Sequence, residues 1–199
     1  GRQGLAVAAA AARAGASVRV IAANIDESVM AALPSGVEVT RVGSACEMRE
    51  AAMAQVIGAD ALVMTAAVAD FRPEAAQASK MKKDPTTTDA PTLRLVRNPD
   101  ILSEVGHSDI RPALVVGFAA ETGTDEEILA NGADKAARKG ADYIALNRVG
   151  AGVGFGDVPN DIRLLDVGGQ IVGRYIGSKD EVAAGLVAQM AAFLDNLER

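Results

Sequence analysis

Three apolar runs, ALVMTAAVA (61–69), ALVVGFAAET (113–122) and DYIALN (142–147), constrain this chain more than any other feature. The first two are too continuous for strands with one wet face, so they read as strands covered on both sides. Helical patterns alternate with strand patterns along the chain. An alanine-rich helix over 4–14 stops at Gly15, and SVRVIAA (17–23) and VEVTRV (37–42) alternate as strands do. Ser44, with Glu47 three residues on, predicts a capped helix over 45–57. LRLV (93–96) reads as another strand, and Asn98-Pro99-Asp100 opens a short helix to about Gly106. A helix follows from about Asp125 to Lys139. The chain closes with a predicted β-hairpin over 160–177, turning at Gly168-Gly169, and a helix from about Asp180 to Leu197. Strand, helix, strand in this order predicts right-handed crossovers and an α/β fold with a mostly parallel sheet between helices.

The 199 residues suit one ordinary domain. A net charge of −6 and a pI of about 4.9 exclude a broad basic footprint for nucleic acid. With 3% aromatics and no Trp, base-stacking platforms are excluded too. No apolar stretch reaches the ~20 residues of a membrane span, so no membrane partner is expected. Cys46 is the only cysteine, which rules out a disulfide framework or a multi-cysteine metal site and makes the cytoplasm the default compartment. The first residues, GRQGLAVAAAAARAGA, read as a loop already entering a helix, so an upstream segment is expected.

In an open α/β sheet, ligands bind beyond the carboxyl ends of the strands. TAAVAD, RNPDI, GFAAET and LNRVGAGVGFG supply those ends here. Asp70 and Asp100 are each either a turn or cap residue or a ligand-orienting carboxylate. The loop 72–90 is long and polar, and carries Lys80, Lys82 and Lys83, which are either a solvated charge run or the cations of a closing lid. Lys135, Arg138 and Lys139 form one stripe near a helix C-terminus, where complementing the macrodipole is the plainer reading. His107 and Cys46 have no partner in the sequence. The glycines of GAGVGFG (150–156) precede a hairpin, not the helix that a dinucleotide fingerprint needs.

The elements AAVADFRP, KMKK, RNPDIL, VGFAAET, ARKGADYIALN and GFGDVPND, in this order, resemble the phosphopantothenate–cysteine ligase family. The resemblance implies a Rossmann-like three-layer fold and a homodimer. It implies activation of the 4′-phosphopantothenate carboxylate by CTP and Mg²⁺ to an acyl-cytidylate, followed by amide formation with L-cysteine. In bacteria the family is often fused to an N-terminal decarboxylase that carries FMN. Carried over by position, Lys80 matches the lid lysine needed for acyl-cytidylate formation. Asp70 matches a nucleotide ligand, with Met64, Thr65 and Ala66 supplying backbone beside it. Pro99, Asp100, Ile101 and Leu102 match a CTP-contacting segment, and Phe118, Lys135 and Lys139 complete the set. Ala66 and Ala67 match backbone near the pantothenoyl arm. No metal ligand is assigned.

The family also carries a Gly-Pro-Thr-rich loop and an Asn-x-Ser-Ser element ahead of the position of Gly1, and neither is in this sequence. The chain therefore reads as one ligase domain over 1–199, incomplete at its N-terminus, with 72–90 as a lid. Two alternatives stand beside this. Gly1 and Gly4 could end a truncated G-x-G-x-x-G of an NAD(P)-dependent oxidoreductase, or the chain could be a non-catalytic nucleotide-binding dimerisation module.

Overall fold

The long apolar run around Val116 becomes the central strand. In the computed structural model, which describes residues 1–75, 90, 92–148 and 160–197, β3 (Ala61–Met64), β6 (Leu114–Glu121) and β7 (Tyr143–Arg148) are parallel neighbours. The sheet continues antiparallel through β8 (Asn160–Asp166) and β9 (Ile171–Gly177), in the order β3-β6-β7-β8-β9. The predicted hairpin turns at Gly168-Gly169, where the Asp166 side chain accepts hydrogen bonds from the backbone N–H groups of Gly168 and Gln170.

Alternation along β6 divides the core into two layers. Leu114 and Val116 pack with Ala6, Val7 and Ala10 of α1 (Arg2–Arg13) and with Val182, Ala183 and Leu186 of α6 (Lys179–Leu197). Val115 and Ala119 face the other way, against Leu102 of α4 (Ile101–Gly106) and Ile128 and Ala136 of α5 (Asp125–Lys139). These helices on both faces bury the first half of the strand, from Leu114 to Gly117; Leu114 and Val115 are fully inaccessible. Thr124 caps α5 through a reciprocal pair with Glu127, and Gly140 ends it in the left-handed conformation at φ 60°.

A second parallel pair, β1 (Arg19–Ala23) and β2 (Glu38–Val42), flanks this sheet. It is linked by α2 (Glu27–Met30), a single turn capped by Asp26 that periodicity did not indicate. The helix α3 (Ala45–Gln55) joins the pieces: Met48 and Ala52 pack with Ile101 of α4, together with Ile21, Ala23, Val42, Met64 and Val68. Ser44 caps α3 as expected, although Glu47 reaches back to the N–H of Gly43 instead of closing the box on Ser44.

Two expectations are corrected. The apolar run 61–69 is a strand only to Met64, because the alanines that follow bury little surface; Ala66, Ala67 and Ala69 are exposed. The segment around 93–96 is not a strand of the parallel sheet. It forms β5 (Leu95–Arg97), paired antiparallel with β4 (Phe71–Pro73) in a separate two-stranded ribbon. Leu93 and Leu95 stay 57% and 54% exposed, so this strand lacks the covering layers a parallel strand needs. The ribbon also takes residues 72–74 out of the expected lid, since Glu74 donates its N–H to the carbonyl of Arg94.

Candidate functional site

Asn98 draws together the ends of two elements that are distant in sequence. Its side-chain N–H donates to the carbonyl of Ala69 at 2.8 Å, and its backbone N–H donates to the carbonyl of Asp70 at 2.8 Å. Arg72 donates to the Asn98 side-chain oxygen at 3.0 Å and to the carbonyl of Arg97 at 2.7 Å. The segment that follows β3 is therefore fixed against the start of α4. A side chain with both donors and an acceptor is required for this role, and Asn98 in the sequence looked like an ordinary helix start.

Asp100 continues the site. One of its oxygens accepts from the N–H of Ser103 and caps α4, while the other pairs with the ammonium of Lys139 on α5. Two glycine contacts make that pairing possible. At Gly117 a Cβ would meet Leu102 at 2.5 Å, so the bare strand lets α4 settle directly on β6. At Gly106 and Gly140 the ends of α4 and α5 meet backbone to backbone. Ile101 and Leu102 are 2% and 9% exposed, so their side chains belong to the core and only their backbone is left for a ligand.

One turn before Lys139, Lys135 pairs with Glu121 at 2.5 Å, where Glu121 is the last residue of β6. The two lysines thus lie on one stripe of α5, as their spacing indicated, but each is engaged by a carboxylate from a different element. The sequence offered no signal for Glu121, because nothing local pairs it with a residue 14 positions on.

The remaining candidates divide. Met64 is half-buried between the α4/α5 layer and α3. Thr65 lies directly under Gly4 of α1, where a side chain in place of glycine would strike its hydroxyl. Ala66, Ala67 and Asp70 are exposed, and Pro99 is half-buried. Phe118 packs toward α1 and α6, on the face of β6 opposite to Lys135 and Lys139. Lys80, Lys82, Lys83 and the glycines of 150–156 lie outside the described residues. His107 caps the end of α4, its ring nitrogen 2.9 Å from the carbonyl of Ser103. A small hollow between Asp125, Ile128, Leu146, Asp161 and Arg163 includes none of the candidates.

Chemically, the assembled surface presents lysine ammonium groups, exposed carboxylates and free backbone beside the C-terminal end of a parallel sheet. That combination suits a phosphorylated ligand and its counter-cation. Among the described residues, no three His, Cys, Asp or Glu side chains gather to hold a metal by themselves, and no helix is long and apolar enough to cross a membrane.

Comparison with known proteins agrees with this architecture. The family model of the DNA/pantothenate metabolism flavoprotein C-terminal domain matches residues 1–194. The coenzyme A biosynthesis bifunctional protein CoaBC of Mycolicibacterium smegmatis is 38% identical over 200 residues, covering 98% of this chain and 47% of that protein. The chain thus spans about half the length of this relative. Among solved structures, the C-terminal domain of a coenzyme A biosynthesis bifunctional protein CoaBC superposes with a TM-score of 0.74 at 26% identity, over 98% of this chain and 84% of that one. A Cab2 variant in complex with phosphopantothenate-cysteine shares the fold, with a TM-score of 0.66 at 13% identity, over 99% of this chain and 80% of that one.

Proposed function

Because the chain belongs to the DNA/pantothenate metabolism flavoprotein C-terminal domain family, we propose that it joins 4′-phosphopantothenate to L-cysteine with CTP in coenzyme A biosynthesis. The observation that carries this reading is that Asn98 ties the backbone of Ala69 and Asp70 to the start of α4, where Asp100 pairs with Lys139, with Lys135 one turn earlier on the same helix; these are positions where the family resemblance expects nucleotide ligands.

In the first half-reaction a carboxylate oxygen of phosphopantothenate attacks the α-phosphorus of CTP. The bond from the α-phosphorus to the bridging oxygen breaks, and pyrophosphate leaves. In the second, the cysteine amine attacks the acyl carbon, loses a proton and expels CMP, leaving the amide. Both reactants of the first step are anionic, so catalysis rests on screening and alignment and needs no protein nucleophile. Lys135 and Lys139 would bind phosphate oxygens, the exposed backbone at Ala66 and Ala67 would orient the pantothenoyl arm, and Lys80 would arrive with the lid to neutralise developing charge. Mg²⁺ bound to the triphosphate would withdraw charge from it. The donors fit that role, since magnesium needs only one or two carboxylates, such as Asp70, once phosphates supply other ligands.

The same reading includes a homodimer in the cytoplasm and fusion to an N-terminal FMN-dependent decarboxylase. The test is pyrophosphate release from CTP and phosphopantothenate without cysteine, followed by cysteine addition, on the chain and on Lys80→Gln. Cysteine-independent pyrophosphate release that falls sharply in the variant is expected. NAD(P)H binding in place of CTP would refute the ligase reading.

A further inference from the structure

We propose that Glu121 is a positioning residue for Lys135, holding its ammonium at the end of β6 for the phosphates of the nucleotide; this rests on the ligase reading above. Neither side chain is at liberty on the surface. In the pair, Lys135 is 30% exposed and Glu121 17%, whereas the surface pair Arg138–Asp134 on the same helix is 62% and 71% exposed. Glu121 is fixed by strand backbone, paired in register with β7. Lys135 stands on a helix that crosses over that strand, so its long stem must choose a direction. A lysine stem has many rotamers to lose on binding, and a preformed contact removes most of that cost beforehand.

The donor count leaves room for a ligand. The ammonium carries three N–H donors, and Glu121 takes one through Oε1. The other donors remain for phosphate oxygens. The neighbouring Lys139–Asp100 pair has the same construction, but Asp100 lies within the segment expected to touch nucleotide and Glu121 does not. Glu121 thus acts through Lys135 without contacting substrate itself.

The experiment is calorimetric titration of the whole chain with Mg²⁺–CTP and, separately, with Mg²⁺–pyrophosphate. The proteins are wild type, Glu121→Ala, Glu121→Gln, Lys135→Ala and the double variant Glu121→Ala/Lys135→Ala, with a thermal melt of each. Glu121→Ala is expected to weaken both ligands roughly tenfold, and the double variant to bind no worse than Lys135→Ala alone, the non-additivity of two residues acting as one. Glu121→Gln is expected to keep part of the affinity, because its amide oxygen still accepts the lysine N–H, and it serves if the alanine variant fails to fold. In turnover, the KM for CTP should rise while the KM for phosphopantothenate stays put. Unchanged or tighter binding by Glu121→Ala, or losses that simply add, would overturn the proposal. Wild type that binds pyrophosphate but not CTP would sink the nucleotide reading and leave the Glu121 comparison to be read on pyrophosphate; wild type that binds neither overturns both.

Discussion

Gly106 and Gly140 touch backbone to backbone at the crossing of α4 and α5. A Cβ on Gly140 would stand 2.7 Å from the carbonyl oxygen of Gly106, and one on Gly106 would stand 2.8 Å from that of Gly140. This approach brings Lys139 within reach of Asp100, so two residues with no chemistry of their own set the distance between two that have it. Gly106→Ala should push the helices apart and cost about 1–3 kcal/mol by overpacking. Urea denaturation should show the loss, and CTP binding should weaken with it. Gly140→Ala carries the added strain of a side chain at φ 60°.

Asp100 performs two tasks that one substitution can separate. Asparagine caps helices about as well as aspartate, so Asp100→Asn should leave stability within about 0.5 kcal/mol of wild type while releasing Lys139 from its ion pair. Asp100→Ala should lose about 1 kcal/mol from the missing cap. Denaturant midpoints and CTP affinity, measured together on both variants, test the separation; equal destabilisation by the two would contradict it.

Asp142 supports the other end of the central strand. Its Oδ2 accepts from the N–H of Val115 at 2.7 Å and from Arg111 at 2.5 Å. Val115 is fully buried, so Asp142→Ala strands its N–H and should cost about 1–3 kcal/mol. CTP affinity measured well below the melting temperature should not change, since Asp142 lies at the opposite end of β6 from Glu121.

Acid should loosen helix starts first. Glu127 and Glu181 are held below the usual carboxylate range by hydrogen bonds from the backbone N–H and then the hydroxyl of Thr124 and Ser178 respectively. A carboxyl whose pKa is lower in the folded state stabilises the fold above its unfolded value, 4.5 for these groups. That contribution disappears as pH falls through the folded pKa. The double variant Glu127→Gln/Glu181→Gln should therefore show a shallower loss of stability below about pH 5, read as urea midpoint against pH. An unchanged slope would exclude these caps as acid-labile points.

The Asn98 bridge gives a further check. Asn98→Ala removes the side-chain contacts to Ala69 and Arg72 while keeping the backbone hydrogen bond to Asp70. The residues concerned are exposed or half-buried, so the expected cost is about 1 kcal/mol. CTP binding should weaken more than stability does, because the segment from Thr65 to Asp70 loses its tether. Calorimetry beside a thermal melt distinguishes the two.

Local chemistry decided much of this protein. The apolar run around Val116, the helix from Asp125 to Lys139 and the turn at Gly168-Gly169 were legible because each is specified by residues within a few positions: continuous burial, capping and stop residues, and glycine where the backbone turns. The lysine stripe at 135 and 139 was legible for the same reason, since helical spacing puts both on one side.

What the tertiary structure decided was which of these groups meet. No local pattern distinguishes a short strand such as Phe71–Pro73 from loop, and it exists because Leu95–Arg97 returns to pair with it. The end of β3 at Met64, the bridge from Asn98 to Ala69, and the pairings of Asp100 with Lys139 and Glu121 with Lys135 all join residues far apart along the chain. Periodicity reports which face a side chain occupies, whereas the partner across that face is fixed only when packing brings distant backbones to contact distance, as Gly106 and Gly140 allow here.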